Sequence, residues 1–396
     1  MKLKLILASA FTISFLLGHS QEISDAKFGK GLINFVAKDS SFSIKFAPRI
    51  QFLTTSNWKY EDNSLGSANT SFLVRRARLK FSGFAYSPKL TYKIELGLSN
   101  RDISGISLYT KNTPRIIMDA VLKWNFYGNF VLWAGQTKLP GNVERVISSA
   151  NLQLVDRSIL NATFNIDRDV GFQLRHHFKV GNNFIIREKF AFSQGEGRNV
   201  VTGNLGGHQY TGRLEFLPMG LFTKKGDYKG SDLSREATPK LAVGVVYDIN
   251  KDAVRNLSNR GVYMVTDTGL HETDISTLFV DTMFKYKGFS FMGEYAYRNA
   301  DAPIVKNSDG TETGVVVKEG SGLNLQAGYL LKSNIEFTGR YSTIDLVNKD
   351  VNNQYTFGVS KYILGHKLKV QSDFTYITLG QISDNLLFRL QVDFHF

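Results

Sequence analysis

The chain has 396 residues, with 30 Phe, 17 Tyr, 35 Gly and only 7 Pro, and its formal net charge is +13. The absence of Cys excludes disulfides, thiolate metal sites and cysteine nucleophiles. The many aromatic residues and glycines favour β structure over helices, and the length fits one large β domain or two to three ordinary soluble domains.

Residues 1–20 have the layout of a secretory signal peptide. Two lysines precede an apolar run that ends at Leu17, and small residues follow at Gly18 and Ser20. We therefore expect export, with cleavage near Ser20, and a short periplasmic N-terminal segment over 21–40. The mature sequence contains no other long apolar run, so a membrane location requires strands.

From residue 41 to the end, apolar and polar residues alternate with a period of two. In the first segment, every second residue from Phe42 to Phe52 is apolar or proline. About sixteen such segments follow one another, each near the ~10 residues of a tilted membrane strand. They start near residues 41, 72, 89, 115, 130, 169, 184, 208, 239, 275, 289, 321, 334, 354, 367 and 387.

The connections between these segments alternate in length. Tight turns are predicted at 86–89, 127–129, 180–183, 287–288, 331–334 and 364–366, and long polar links at 54–70, 99–114, 138–168, 193–207, 249–274, 299–320 and 342–353. This asymmetry is typical of a transmembrane antiparallel β-barrel with short periplasmic turns and long extracellular loops. A soluble two-sheet sandwich explains it less well. The link 217–238 is long on the side where a short turn is expected.

The last strand carries a signal of its own. Every second residue from Phe388 to Phe396 is apolar, and the residues between them are polar. Lipid cannot hydrogen-bond to a strand edge, so this strand must pair with the first one. Its terminal Phe396 resembles the recognition signal of barrel-assembly machinery, which we therefore expect as a partner beside outer-membrane lipid.

The inward faces of the predicted strands are rich in cations. Arg76, Arg78 and Lys80 form a row on the second strand, and Arg49 projects from its neighbour. Arg75 falls on the lipid-side register, so we expect it at the rim, where its head group reaches water. Further inward cations of the predicted pore lining are Lys45, Lys93 and Lys123.

These cations allow two interpretations. Rings of Arg and Lys make anion or phosphate pores, and the planar guanidinium fork matches phosphate oxygens. Alternatively, lumen acids such as Glu95, Asp119 and Asp393 pair with the cations and brace the wall.

Several stretches resemble one family, the phosphate-selective porins O and P. They are KFGKGLINF at 27–35, APRIQF at 47–52, RRARLKFSG at 75–83, AGQTKLPGNVE at 134–144, DRDVGFQL at 167–174 and TPKLAVGVVYDIN at 238–250. The resemblance covers most of the mature chain, and RRARLKFSG is its most specific motif. It implies a sixteen-stranded barrel, commonly trimeric, in which arginines guide anions through an eyelet formed by an inward-folded third loop.

Here the third long loop is 138–168, which makes Arg145, Arg157 and Arg168 candidate constriction residues. Acids accompany each of them in sequence, so this loop is not a pure arginine ladder. We therefore predict an outer-membrane porin for passive diffusion of small hydrophilic solutes, with a preference for anions such as phosphate or polyphosphate. The resemblance also implies a homotrimer.

Other functions are weaker interpretations of the sequence. A general or other-substrate outer-membrane channel remains open. A barrel-type enzyme would need a His with an acid or Ser at the lip, but the seven His are scattered. A carrier of hydrophobic compounds would need an apolar lumen. We predict no cofactor, no metal site and no catalytic residue. Nucleic acid is not expected either, because the cations alternate along strands instead of forming one patch.

Overall fold

The computed structural model describes residues 28–61, 64–100, 102–103, 115–201, 203–380 and 383–396. The predicted signal peptide, 1–20, and residues 21–27 lie outside these ranges. Sixteen antiparallel strands form one closed barrel, which confirms the predicted fold class. They are β1 (Arg49–Glu61), β2 (Asn69–Ala85), β3 (Ser87–Gly97), β4 (Ile117–Tyr127), β5 (Phe130–Lys138), β6 (Arg168–Val180), β7 (Phe184–Ser193), β8 (Gln209–Leu217), β9 (Lys240–Ala253), β10 (Thr273–Tyr286), β11 (Phe289–Ala300), β12 (Gly320–Leu330), β13 (Ile335–Leu346), β14 (Asn352–Leu364), β15 (Leu368–Leu379) and β16 (Ser383–His395).

The barrel closes where the two ends of the sheet meet. β16 pairs with β1 from Asn385 opposite Lys59 to His395 opposite Arg49. Every strand therefore has two partners, as a strand in lipid requires, since lipid offers no hydrogen bonds to an open edge.

Alternation along each strand separates the two faces of the wall. On β10, Val280 is 40% exposed on the outer surface, whereas the next residue, Asp281, is 5% exposed on the lumen side. The outer face is apolar because it meets lipid, and the lumen face holds most of the buried charges.

The connections have the predicted asymmetry. β6 and β7 are joined by residues 181–183 and β10 and β11 by 287–288, whereas 254–272 separate β9 from β10. The long extracellular links carry two small hairpins, Val265–Thr266 with Gly269–Leu270 and Ile304–Lys306 with Glu312–Val316. Ser64–Leu65 pairs with the end of β1. No helix within the described ranges is both long and apolar enough to cross a membrane.

The first predicted strand is interrupted in the structure. Pro48, which lacks an N–H group, separates β1, which starts at Arg49, from a short strand at Ser43–Phe46. Ser43–Phe46 still pairs with β2, with Lys45 opposite Ser82, and it also forms a hairpin with Ile33–Val36. Where β16 ends, the backbone N–H of Phe396 donates to the carbonyl of Pro48 at 3.1 Å.

Candidate functional site

The segment between β5 and β6 folds into the lumen. It contains α1 (Val143–Val146), a 3₁₀ turn (Ser149–Asn151) and α2 (Ile159–Phe164). Gln153 reaches the far wall, where its side-chain amide donates to Glu336 Oε1 at 2.7 Å. The segment therefore crosses the barrel interior.

Local hydrogen bonds explain why this segment holds its shape. The Ser158 hydroxyl caps α2 by accepting the backbone N–H of Asn161 at 3.1 Å. The Glu144 carboxylate of α1 accepts the N–H of Ser158 at 2.9 Å, which ties the two helices together. Glu294 of β11 accepts the N–H of Glu144 at 3.0 Å and fixes α1 to the wall.

Glycines on the wall make room for the segment. A Cβ added at Gly328 of β12 would collide with the side chain of Gln153, and one added at Gly358 of β14 would collide with Leu154. The segment is thus fitted against β11–β14.

Apolar side chains attach the same segment to this wall. Two buried clusters join loop residues to inward residues of β7–β13. The first contains Leu139, Leu160, Phe164, Ile166, Ala191, Val246, Phe279, Ala296 and Ile344. The second contains Val143, Ile147, Leu152, Ile185, Leu217, Phe222, Met283 and Met292.

The unexpectedly long periplasmic link, residues 218–239, supports the segment from below. The backbone N–H of Gly230 donates to the carbonyl of Asn151 at 2.8 Å. Lys285 of β10 donates to the carbonyl of Ser231 at 2.7 Å. This half of the lumen is therefore filled with packed chain.

Two cavities lie along the opposite wall. The outer cavity, about 460 Å³, includes side chains from extracellular links, such as Arg198 and Arg260. The inner cavity, about 200 Å³, includes Lys123 and Arg175, which lie towards the periplasmic ends of β4 and β6. The two cavities thus follow one another from the extracellular to the periplasmic side.

Both cavities have a strong excess of cations. The charged lining of the outer cavity is Arg75, Arg76, Arg78, Arg145, Arg157, Arg198, Arg260 and Arg389 against Asp102, Asp156 and Asp167. That of the inner cavity is Arg78, Lys93, Lys123, Lys138, Arg145, Arg157, Arg168 and Arg175 against Glu95 and Asp119. Cations therefore outnumber acids around both cavities.

Three arginines line both cavities, and we call Arg78, Arg145 and Arg157 the arginine collar. Arg78 comes from the wall, whereas the other two come from the inward segment. The collar therefore marks the neck between the cavities.

The members of the collar differ in how they are neutralised. Arg78 Nη2 lies 2.7 Å from Asp102 Oδ1, and its Nη1 lies 2.9 Å from Glu95 Oε1. Arg145 pairs with Asp167, whose Oδ1 accepts from Nε at 2.7 Å. Both are therefore largely paired with acids.

Arg157 is the exception in the collar. It donates to the backbone carbonyls of Glu144 and Ile147, both at 2.7 Å. Within the ranges that the structure describes, no carboxylate lies within ion-pair distance of it. Burial, followed by the charge of Arg145, lowers the pKa of Arg157. An anion bound beside Arg157 would supply the missing countercharge.

Of the predicted arginines, some hold the barrel wall together through ion pairs and others line a cavity. Arg49 pairs with Asp393 at 2.7 Å and lines neither cavity, so it braces the seam between β1 and β16. Arg76 lines the outer cavity, donates to Gln51 and lies 4.0 Å from the nearest carboxylate oxygen, on Asp156.

The predicted lysines are also divided. Lys93 lies 2.7 Å from both Glu95 and Asp119, and Lys123 lies over the Trp133 ring with its Nζ 3.8 Å from the centroid. Both line the inner cavity.

Lys80 and Lys45 line neither cavity. Lys80 is half-buried on the inward register of β2, and Lys45 lies in the periplasmic hairpin strand Ser43–Phe46. The third predicted constriction residue, Arg168, lies at the start of β6 and pairs with Asp119 at 3.1 Å.

The prediction that Arg75 lies at the rim is wrong. A β-bulge on β2 places Arg76 opposite Gln51 and Val74 opposite Phe52, so Arg75 is the extra residue. The bulge turns its side chain inward, where it is 2% exposed. Period-two reasoning cannot detect such a shift, because one inserted residue reverses the faces.

Three further arginines of the outer cavity were not predicted as site residues. Arg389 of β16 pairs with Asp373 at 2.6 Å. Arg260 donates to the carbonyl of Thr163 at 2.7 Å, and Arg198 donates to that of Asp102. The last two lie in long links, where no periodic signal shows which way a side chain points.

Comparisons with known proteins agree with this geometry. A family model described as phosphate-selective porin O and P matches residues 56–380. No curated protein matches the chain in sequence.

Solved structures share the barrel at low sequence identity. The anion-selective porin from Comamonas acidovorans has a TM-score of 0.52 at 12% identity, over 90% of this chain and 100% of that one. OmpT of Vibrio cholerae has a TM-score of 0.52 at 9% identity, over 91% and 100%. The channel DcaP of Acinetobacter baumannii has a TM-score of 0.51 at 12% identity, over 91% and 99%. At these identities the likeness concerns the fold alone.

Proposed function

Because the chain belongs to the phosphate-selective porin O and P family and is a porin of the outer membrane, we propose that it conducts small anions, phosphate among them. The observation that carries this proposal is the excess of cations along both cavities, with Arg157 at the neck in no ion pair with any described carboxylate. Rings of Arg and Lys favour anions, because their charge replaces part of the lost hydration.

The hydrogen bonds of Arg157 also favour release of a bound anion. Arg157 already donates to two backbone carbonyls, so an anion gains charge compensation without a full set of new hydrogen bonds. The acids beside Arg78 and Arg145 weaken the field further. Binding at several sites of moderate strength permits passage, whereas one very tight site would block it.

We assign the inward segment 139–167 as the constriction of this pore. It carries two of the three collar residues, and its attachment to β11–β14 leaves the open path beside β2–β6 and β16. The predicted candidates Arg145 and Arg157 narrow the path, whereas Arg168 sets the electrostatics of the inner cavity through Asp119.

Selectivity of purified protein in planar bilayers tests the proposal. Reversal potentials under a KCl gradient should indicate anion preference, and phosphate should reduce the chloride current. Arg157→Gln should lower the ratio of anion to cation permeability by roughly twofold or more. The matched control is Lys251→Gln, because Lys251 is an exposed cation of similar length near the extracellular end of β9.

A wild-type reversal potential near zero would contradict the proposal and favour the alternative of a non-selective channel. An equal effect of both substitutions would show that overall charge, and not Arg157, sets selectivity.

We propose further that the chain is a channel without enzymatic activity. Among the residues that line the two cavities there is no histidine, the usual proton-transfer group of a Ser–His–acid hydrolase. His176 lies on the outer face, where it contacts Glu188.

We also propose a homotrimer. One solved form of OmpT, a structure with a TM-score of 0.51 to this chain, is described as a trimer. The mass of the detergent-solubilised protein, corrected for bound detergent, should be three times that of the mature chain.

Finally, we propose that barrel-assembly machinery recognises the terminal strand through Phe396. The apolar outer face of β16 continues to this last residue, beside the rings of Phe394 and Phe28 at 4.7 and 5.9 Å.

A further inference from the structure

The carboxylate of Glu188 lies on the outer face of the barrel wall. On β7, Phe190 and Ile186 project outward, and Glu188 lies between them on the same face. Its side chain is 47% exposed, although this face otherwise meets lipid. A charge on the lipid face destabilises a barrel, and the destabilisation grows towards the midplane of the bilayer.

A single histidine accompanies this carboxylate. His176 of β6 lies directly opposite Glu188 in the ladder, and its Nδ1 is 2.8 Å from Glu188 Oε2. The His176 ring stacks on Phe130 at 4.0 Å, which holds it flat against the wall. Within the described ranges, Glu188 Oε1 has no hydrogen-bond or ion-pair partner. The site therefore presents an acceptor that lacks a cation.

An apolar groove starts at this carboxylate. The groove has a volume of about 460 Å³ and runs along Phe190, Leu214, Val245 and Tyr247. Gly212 lies at the floor of the groove. A Cβ added there would have only the Tyr247 carbonyl oxygen nearby, at 3.9 Å, so the space above this glycine is open. The site thus joins a carboxylate, which has one oxygen on His176 and the other without a described partner, to an apolar trough.

The position of the site along the membrane normal is also defined. Glu188 lies four residues from the start of β7 at Phe184, and a short periplasmic turn precedes Phe184. The Phe184 and Phe216 rings, 6.4 Å apart, belong to the aromatic band at that end. The carboxylate therefore lies in the periplasmic half of the wall, with the groove beside it.

We propose that this groove binds a phospholipid of the periplasmic leaflet whose head group carries an ammonium ion, such as phosphatidylethanolamine. The ammonium would pair with Glu188 and an acyl chain would fill the trough over Gly212. Charge complementarity favours this occupant, because an ammonium supplies both a positive charge and hydrogen-bond donors. A second copy of the chain is the competing occupant. Its outward-facing Lys361 is an available cation, but that side chain already donates to the Ser333 carbonyl at 2.7 Å.

Native mass spectrometry of the purified protein, titrated with phosphatidylethanolamine or phosphatidylglycerol of equal acyl chains, tests the proposal. The wild type should bind phosphatidylethanolamine about fivefold more tightly, the upper end for one exposed ion pair. Glu188→Gln should abolish this preference. Gly212→Leu should weaken both lipids, because the side chain fills the trough.

Gly339→Leu is the matched control. Gly339 is also outward-facing, and a Cβ there meets no atom within 4 Å. This variant should bind lipid like the wild type. The proposal is wrong if Glu188→Gln retains the preference, or if Gly212→Leu and Gly339→Leu bind equally.

The same spectra report the oligomeric mass. A loss of oligomer in Glu188→Gln, without any change in lipid preference, would assign the site to a second copy and overturn the proposal. Anion selectivity should be unchanged in Glu188→Gln, so this test is independent of the proposed pore chemistry.

Discussion

Arg75 and Asp156 join the barrel wall to the inward segment, with Arg75 Nη2 2.6 Å from Asp156 Oδ1. The same aspartate lies 3.7 Å from Arg389 and 4.0 Å from Arg76. One acid therefore moderates the charge of three wall arginines at the mouth of the neck. The bulge on β2 makes this possible, because it turns Arg75 into the lumen.

Neutralising this acid should strengthen anion binding. In Asp156→Asn, the three arginines lose their shared countercharge, so we expect a higher ratio of anion to cation permeability and stronger block by phosphate. The melting temperature in detergent should fall, because a largely buried ion pair is broken. Reversal potentials and thermal unfolding measure the two effects. An unchanged phosphate block would show that anions do not contact this cluster.

Arg76 and Arg78 should behave differently when each is replaced by Ala. Arg76 has only a distant acid, so Arg76→Ala should lower anion preference with little change in melting temperature. Arg78 pairs with Asp102 and Glu95, and Glu95 keeps Lys93 as a second partner, so Arg78→Ala leaves Asp102 without its ion pair and should destabilise the barrel by about 3 kcal/mol. Equal losses of stability in the two variants would contradict this division between lining and bracing.

The terminal residue should matter for assembly more than a lumen residue of the same strand. Phe396→Asp places a charge on the apolar outer face beside Phe394, and it removes the aromatic signal. We expect much less folded, heat-modifiable protein in the outer membrane than for Arg389→Ala. Normal levels of folded Phe396→Asp would contradict the proposed role of the C-terminus.

Stability should depend on pH through Lys367, which lies in the periplasmic turn between β14 and β15. Burial, followed by the charges of Lys45, Lys80 and Arg49, lowers the pKa of Lys367 to about 8. Between pH 8 and the ordinary lysine pKa of about 10.4, the unfolded chain binds more protons at this residue than the folded chain does. The residue should therefore contribute a rise in stability across that window.

Thermal unfolding from pH 7 to pH 10 measures this contribution. Lys367→Met should lose it, and Lys332→Met, at an exposed lysine of the periplasmic turn before β13, should retain it. Identical pH profiles for Lys367→Met and the wild type would exclude the assignment.

Topology can be tested with single cysteines, because the chain has none of its own. Thr268→Cys lies in the turn of an extracellular hairpin and should react with a membrane-impermeant maleimide on intact cells. Tyr86→Cys lies in the periplasmic turn between β2 and β3 and should react only after the outer membrane is opened. The reverse labelling pattern would show that the barrel has the opposite orientation in the membrane.

The sequence predicts the barrel well because the alternation that identifies a membrane strand lies within one short segment. Alternation from Phe388 to Phe396 needs no knowledge of the partner strand. The site is harder to predict, because its contacts are long-range. The pairs Arg49–Asp393 and Arg75–Asp156 join residues 344 and 81 positions apart. No spacing rule relates such residues.

Inward apolar residues were missed for a related reason. Phe279 lies on the lumen face of β10 and is fully buried under α2. Period-two reasoning assigns the lumen face to polar residues, and this assumption fails wherever a loop fills the interior. The path of the inward segment was indicated only by family resemblance, and its attachment to β11–β14 becomes visible only in three dimensions.

The outer cavity takes Arg75 and Arg76 from β2 and Arg389 from β16, strands on the two sides of the seam where β1 joins the ends of the sheet. The proposed conducting path is therefore assembled from the first and last parts of the chain to be made. Until β16 closes the ring, the path lacks one of its walls. Barrel closure and the appearance of a selective conductance should accordingly be a single event during biogenesis. A partly assembled barrel would then not yet form a selective pore in the outer membrane.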